Sequence, residues 1–247
     1  MLLIDSGNSA IKTRLLEAGS STDRVFPLHD GFEASGFVEY LAGLKLRRVY
    51  SASVASGQVQ QTLGQIIRAQ QPEAEYLQLQ TLPQLGCVTN AYQDHRQMGV
   101  DRWLTLLAAT TLTQQDVIII DAGSAITIDL MNRDRQHLGG AILPGFNTEL
   151  PRFRSLFPHV DFDNPAVHET EMPGTSTAAC IHLPEVPVTV AMIAQIVERW
   201  IKLLQPPVTI LLAGQDAGRI ADGLGIASQT VADLVFIGML KQIQLLR

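Results

Sequence analysis

Two stretches of the chain carry the same alternation of apolar and polar positions. Leu2 to Glu17 reads LLIDSGNSAIKTRLLE: an apolar run, a turn of small residues, then a run in which apolar and polar residues alternate. That pattern predicts a strand, a tight turn and a second strand. Val117 to Met131 reads VIIIDAGSAITIDLM and repeats the arrangement, with Asp121 where the first copy has Asp5. A self-similar unit at half-chain spacing predicts two related domains, whereas a solenoid repeats roughly every 20–50 residues.

Helical periodicity fills the intervals. Leu63, Ile66 and Ile67 fall on one face of a segment ending near Ala69, and Trp103 to Leu112 is apolar and helix-favouring. Ile193, Ile196, Val197, Trp200, Ile201 and Leu204 follow the i, i+3, i+4 spacing of an amphipathic helix, which Pro206-Pro207 stops. Val208 to Gly214 then reads as a buried strand entering a glycine turn, and Ala232 to Leu246 as a closing helix. The short polar stretch Gln114 to Asp116 is the expected boundary, dividing the chain into domains 1–115 and 116–247. Strands interleaved with helices make the class α/β.

Composition narrows the function. With 46% hydrophobic and 17% charged residues, the 247-residue chain has the balance of a packed enzyme and not of a disordered segment. Its net charge is -6, and no basic run is longer than Arg47-Arg48. A nucleic-acid surface needs clustered Lys and Arg, so none is expected, and an anionic substrate must be held by local groups. Cys87 and Cys180 have no partner at metal or redox spacing, which fits reduced thiols. No basic region followed by a long apolar stretch opens the chain, and apolar runs fall short of the ~20 residues of a membrane helix. The expectation is a cytoplasmic protein without a membrane segment.

Three sites carry candidate chemistry. Asp5-Ser6-Gly7-Asn8-Ser9 ends a strand with a glycine turn, a place where backbone N–H groups can cradle phosphate and a carboxylate can hold Mg²⁺. An ordinary hairpin uses the same residues. The second copy, Asp121 to Thr127, favours a pair of phosphate-binding hairpins. Gly7 through Lys12-Thr13 looks like a P-loop, but it is one residue short, lacks the glycine before the lysine, and runs into a strand instead of a helix. Met98-Gly99-Val100-Asp101-Arg102-Trp103 opens the next helix. Asp101 there is either a helix cap or a general base for an attacking hydroxyl, with Arg102 supplying positive charge.

The order of these motifs resembles the type III pantothenate kinases. The matching segments are Asp5 to Ser9, Asn90-Ala91-Tyr92, Gly99 to Trp103, Asp121 to Thr127, Gly139 to Gly145 and Gly174 to Thr177. The resemblance implies two actin-like, ribonuclease H-like domains with a nucleotide cleft between them. It implies a kinase that moves the γ-phosphate of ATP onto pantothenate, giving 4′-phosphopantothenate. Asp5, Ser6, Gly7, Asn8, Ser9, Ala10, Ile11 and Lys12 resemble the first phosphate loop, and Ser124 the second ATP contact. Tyr92, Gly99, Val100, Asp101 and Arg102 resemble the pantothenate-binding set, with Asp101 as catalytic base. Asp5 and Asp121 are the implied metal-binding carboxylates, for Mg²⁺ and for a monovalent cation, K⁺ or NH₄⁺. Thr177 resembles a threonine that reaches pantothenate across a homodimer interface.

The chain departs from the family pattern in places. Ser124 stands for the usual threonine, Gln215 for the second glycine of the adenosine segment, and Pro184 and Pro187 fall where the family has a helix. Two other readings stay open: a non-catalytic nucleotide-binding accessory or regulatory protein, and a kinase of a sugar or acid. Intact Asp5, Asp101, Arg102 and Asp121 argue against the first. Tyr92 and Gly99 to Arg102 alone separate the second.

Overall fold

Alternation at the amino terminus is realised as paired strands in a computed structural model, which describes residues 1–28, 35–160, 173–182 and 185–247. The first elements in chain order are β1 (Leu2–Ser6), β2 (Ala10–Glu17), β3 (Ser20–Pro27), α1 (Ser35–Ala42), β4 (Arg48–Ser53), α2 (Gly57–Gln70), β5 (Glu75–Gln78), β6 (Gln84–Leu85), β7 (Val88–Thr89) and α3 (Val100–Leu112). There follow β8 (Asp116–Ala122), β9 (Ala125–Met131), β10 (His137–Pro144), α4 (Glu149–Leu156), α5 (Thr177–His182), α6 (Glu185–Ile201), β11 (Val208–Ala213), α7 (Ala217–Leu224), β12 (Gln229–Thr230) and α8 (Leu234–Leu245).

The chain forms two compact units: Met1–Leu112 with Arg135–His137 and Asp233–Arg247, and Thr113–Asp134 with Leu138–Ala232. Each holds a five-stranded sheet, in the orders β3-β2-β1-β4-β5 and β10-β9-β8-β11-β12. In both, the first strand pairs antiparallel with its hairpin partner and parallel with the strand on its other side. The repeat visible in the sequence is thus a repeat of topology. Parallel neighbours need crossover connections, and the helical segments supply them.

In the first unit, Leu2, Ile4 and Ile11 of the sheet pack with Phe37 and Leu41 of α1 and with Leu63 and Ile67 of α2. Helices α3 and α8 pack against each other in the same unit. They approach so closely that a Cβ on Gly238 would lie 2.0 Å from the Leu104 carbonyl oxygen. Glycine in mid-helix costs about 1 kcal/mol relative to alanine, and here it is what admits the neighbouring backbone. A cut at 115/116, drawn from sequence, assigns α8 to the second half, whereas by packing α8 belongs with α3.

In the second unit, Ile118, Ile120, Ile126 and Ile128 pack with Val190, Ile193 and Val197 of α6 and Ile220 of α7. Beyond α6, turn hydrogen bonds to Trp200 and Ile201 carry Leu204 into this core before Pro206. Buried Asp116 ties the strand ends together. It accepts from Gln205 N at 2.6 Å, Arg133 N at 2.8 Å and Arg133 Nε at 2.9 Å. Burial pushes its carboxyl pKa up, but these donors outweigh burial and hold it below the usual carboxylate range. The stretch Thr177–Ile201 is long and apolar enough to cross a membrane by length and composition alone. Within it, Val190, Ile193 and Val197 lie in the core, while Val188 and Met192 are exposed. Pro187 sits in the first turn of α6, where its missing N–H costs nothing, so it does not break that helix. Pro184 lies outside the described residues.

Candidate active site

The first aspartate loop closes the β1–β2 hairpin. Gly7 N donates to Ala10 O at 3.0 Å, leaving Asp5 half-buried at the strand end and Asn8 and Ser9 exposed at the tip. Ala10 to Glu17 is a strand, so the P-loop reading fails on geometry. Ile11 is fully buried in the core, so only its backbone can face a nucleotide, while Lys12 alternates to the exposed side.

Gly99, Val100, Asp101 and Arg102 occupy the start of α3. Thr81 Oγ1 donates to Met98 O at 2.9 Å and fixes the approach, and Trp103 N closes the first helical bond to Gly99 O at 3.2 Å. Asp101 Oδ1 accepts from Arg102 N at 2.8 Å, satisfying a donor that the helix start leaves over. A Cβ on Gly99 would lie 2.5 Å from that same oxygen, so glycine is what lets the carboxylate stand there. Arg102 is buried, only 4% exposed, and donates through Nη1 to Tyr92 Oη at 2.8 Å. Asn90 explains the N-x-Y pattern: its Oδ1 accepts from Tyr92 N at 2.9 Å, an Asx-type turn that presents the ring. The candidate base, the cationic residue and Tyr92 therefore form one contiguous group.

Val54 connects this group to the first loop, and no motif in the sequence points to it. Its N–H donates to Ser6 O at 3.0 Å, and its Cγ1 would lie 3.4 Å from a Gly99 Cβ. A cavity of about 580 Å³ opens beside them, lined by Ser53, Val54, Thr81, His95, Gly99 and Val100 among others. His137 is the other residue without a sequence signal; its ring lies parallel to Tyr92. An adjoining cavity of about 630 Å³, which shares Leu79 with the first and is lined also by Tyr50 and Gln242 among others, holds none of the motif residues.

The second aspartate loop, in the second unit, is like the first but one residue shorter. Gly123 N donates to Ala125 O at 3.0 Å, Asp121 is half-buried, and Ser124 is exposed. Two glycines bracket it. A Cβ on Gly145 would lie 2.4 Å from Gly123 O, and one on Gly214, whose φ is +88°, 2.2 Å from Ala122 O. The backbone can pass this close only without side chains. Gln215 is exposed, and its φ is not positive, so the residue that replaces glycine there carries no backbone strain. Thr177 is exposed as the first residue of α5, whose N-terminal amide on Ala179 is capped by Ser176 Oγ at 3.1 Å.

Each aspartate loop offers an oxygen ligand to a hard cation. Mg²⁺ and alkali cations take oxygen ligands, and Mg²⁺ typically uses one or two carboxylates together with waters and substrate phosphates. Asp5 and Asp121 each supply one carboxylate beside a glycine turn. Among the described residues there is no group of three or more His, Cys, Asp or Glu to cage a metal outright. Each carboxylate, taken by itself, suits an ion that brings most of its oxygen ligands with it.

The sequence model of the type III pantothenate kinase family matches residues 1–199. A type III pantothenate kinase of Ectopseudomonas mendocina is 31% identical over 245 residues, covering 97% of this chain and 97% of its own. That of Chromobacterium violaceum is also 31% identical, covering 97% and 98%. Among solved structures, a Campylobacter jejuni protein assigned to the Baf family of transcriptional activators is 22% identical, with TM-score 0.56 and 99% and 98% coverage. Component A of the (R)-2-hydroxyglutaryl-CoA dehydratase of Acidaminococcus fermentans is 14% identical, with TM-score 0.51 and 98% and 95% coverage. The structural likenesses show the fold: actin-like α/β, one sheet topology used twice.

Proposed function

The chain belongs to the type III pantothenate kinase family, and from that membership we infer how its own residues divide the work. It is an ATP-dependent pantothenate kinase, phosphorylating pantothenate in coenzyme A biosynthesis. Phosphoryl transfer asks little covalent chemistry of the protein; positioning and charge neutralisation supply most of the rate. The contiguous group Tyr92–Arg102–Asp101 is the observation that carries the assignment of roles. Asp101 accepts the proton of the attacking hydroxyl, while Arg102 and Tyr92 hold the anionic substrate. The neighbouring cavity supports a small acceptor there. The loop from Asp5 to Lys12, together with Ser124, meets the phosphates of ATP. Asp5 would hold Mg²⁺, and Asp121 would hold K⁺ or NH₄⁺; both ions supply positive charge against the polyphosphate.

The working form in this reading is a cytoplasmic homodimer in which each site borrows Thr177 from the partner. Thr177 is exposed, and α6 leaves Val188 and Met192 exposed at 50% and 43%, apolar surface that a two-fold contact would cover. Mixing Asp101→Asn subunits with Thr177→Ala subunits tests this. Shared sites give heterodimers with one intact site, so activity is expected to recover partly. No recovery in verified heterodimers, or a monomer by light scattering at assay concentration, contradicts it.

A further inference from the structure

We propose that His137 is a positioning residue for the acceptor substrate, acting through Tyr92 on Arg102. The segment before it is docked on the first unit: Thr89 N donates to Arg135 O at 3.0 Å, and Thr89 and Gln136 form a parallel bridge. His137 follows directly, 4% exposed, against the Asn90–Tyr92 turn. It touches this turn twice. Nδ1 accepts from Ala91 N at 3.4 Å, and the imidazole lies nearly parallel to the Tyr92 ring, at 12° and 6.2 Å between centroids. At that length the hydrogen bond is weak, and the parallel imidazole beside the tyrosine ring adds a second restraint.

Asn90 fixes the Tyr92 backbone, and His137 backs its ring. The hydroxyl is then held where Arg102 Nη1 meets it at 2.8 Å. Removing the imidazole leaves space beside Tyr92 into which the ring can swing, and the buried guanidinium loses a fixed partner. Histidine suits the place because it offers both an aromatic face and a ring acceptor. This role rests on the reading that Tyr92 and Arg102 bind pantothenate, and the test separates the two ideas.

Steady-state kinetics of His137→Ala, His137→Phe, His137→Asn and Tyr92→Phe decide the matter, each with a thermal melt. An ångström-scale misplacement costs on the order of 10²-fold, and a loosened ring is a milder fault, so His137→Ala is expected to raise the pantothenate KM about tenfold. The ATP KM should stay near wild type. His137→Phe, which keeps a ring against Tyr92, should recover most of the loss, and His137→Asn should not. A folded His137→Ala with wild-type pantothenate KM, beside a Tyr92→Phe whose KM is raised, overturns the proposal alone. A wild-type KM in Tyr92→Phe overturns the reading beneath it. If His137→Ala fails to fold, equal pantothenate KM values in His137→Phe and His137→Asn overturn the proposal.

Discussion

Asp101→Asn is expected to fold normally and to lose about 10²–10⁴-fold in kcat, the usual cost of removing a general base. The bond at the helix start should survive the change. Oδ1 accepts from Arg102 N at 2.8 Å, and an asparagine oxygen at the same place accepts it equally well. What the amide does not do is take a proton from the attacking hydroxyl. Kinetics and a melting curve on one preparation separate the two roles. A variant that keeps kcat within a few-fold makes Asp101 a helix cap and nothing more.

Gly99→Ala is expected to lose roughly 10²-fold in kcat with little change in melting temperature, the scale set by an ångström-sized misplacement. Its new Cβ would meet Asp101 Oδ1 at 2.5 Å and Val54 Cγ1 at 3.4 Å. The first contact is far too short, but the obstacle is the end of a short side chain, which rotates away. Gly99 does not have a positive φ, so alanine adds no backbone strain. The fold therefore survives, and the carboxylate leaves its place. Loss of folding together with activity would mean that Gly99 serves packing instead.

The sequence carried the repeated hairpins because two signals coincide in them, period-two alternation and an aspartate at each strand end. It carried α2 and α6 because their apolar residues recur at helical spacing, and α3 because Trp103 to Leu112 is apolar and helix-favouring throughout. What it did not carry depends on contacts between distant segments. Nothing local says that α8 returns to the first unit; the reason lies in Gly238 meeting Leu104 O. Val54 and His137 belong to no motif, and each matters only through what it touches, Ser6 and Gly99 for one, Tyr92 for the other. Gly145 and Gly214 were visible as motif letters, but their purpose, room for the backbone of the second aspartate loop, is a fact of packing. Pro187 shows the reverse: a residue that reads as a helix breaker is harmless in a first turn.

A coupled assay of the purified protein with ATP, Mg²⁺, K⁺ and pantothenate puts the central claim to its most direct test. The expected result is one ADP released for each 4′-phosphopantothenate formed, more slowly when Na⁺ replaces K⁺ and near background in Asp101→Asn. ADP release that ignores pantothenate, or a protein that binds ATP and turns nothing over, would contradict it.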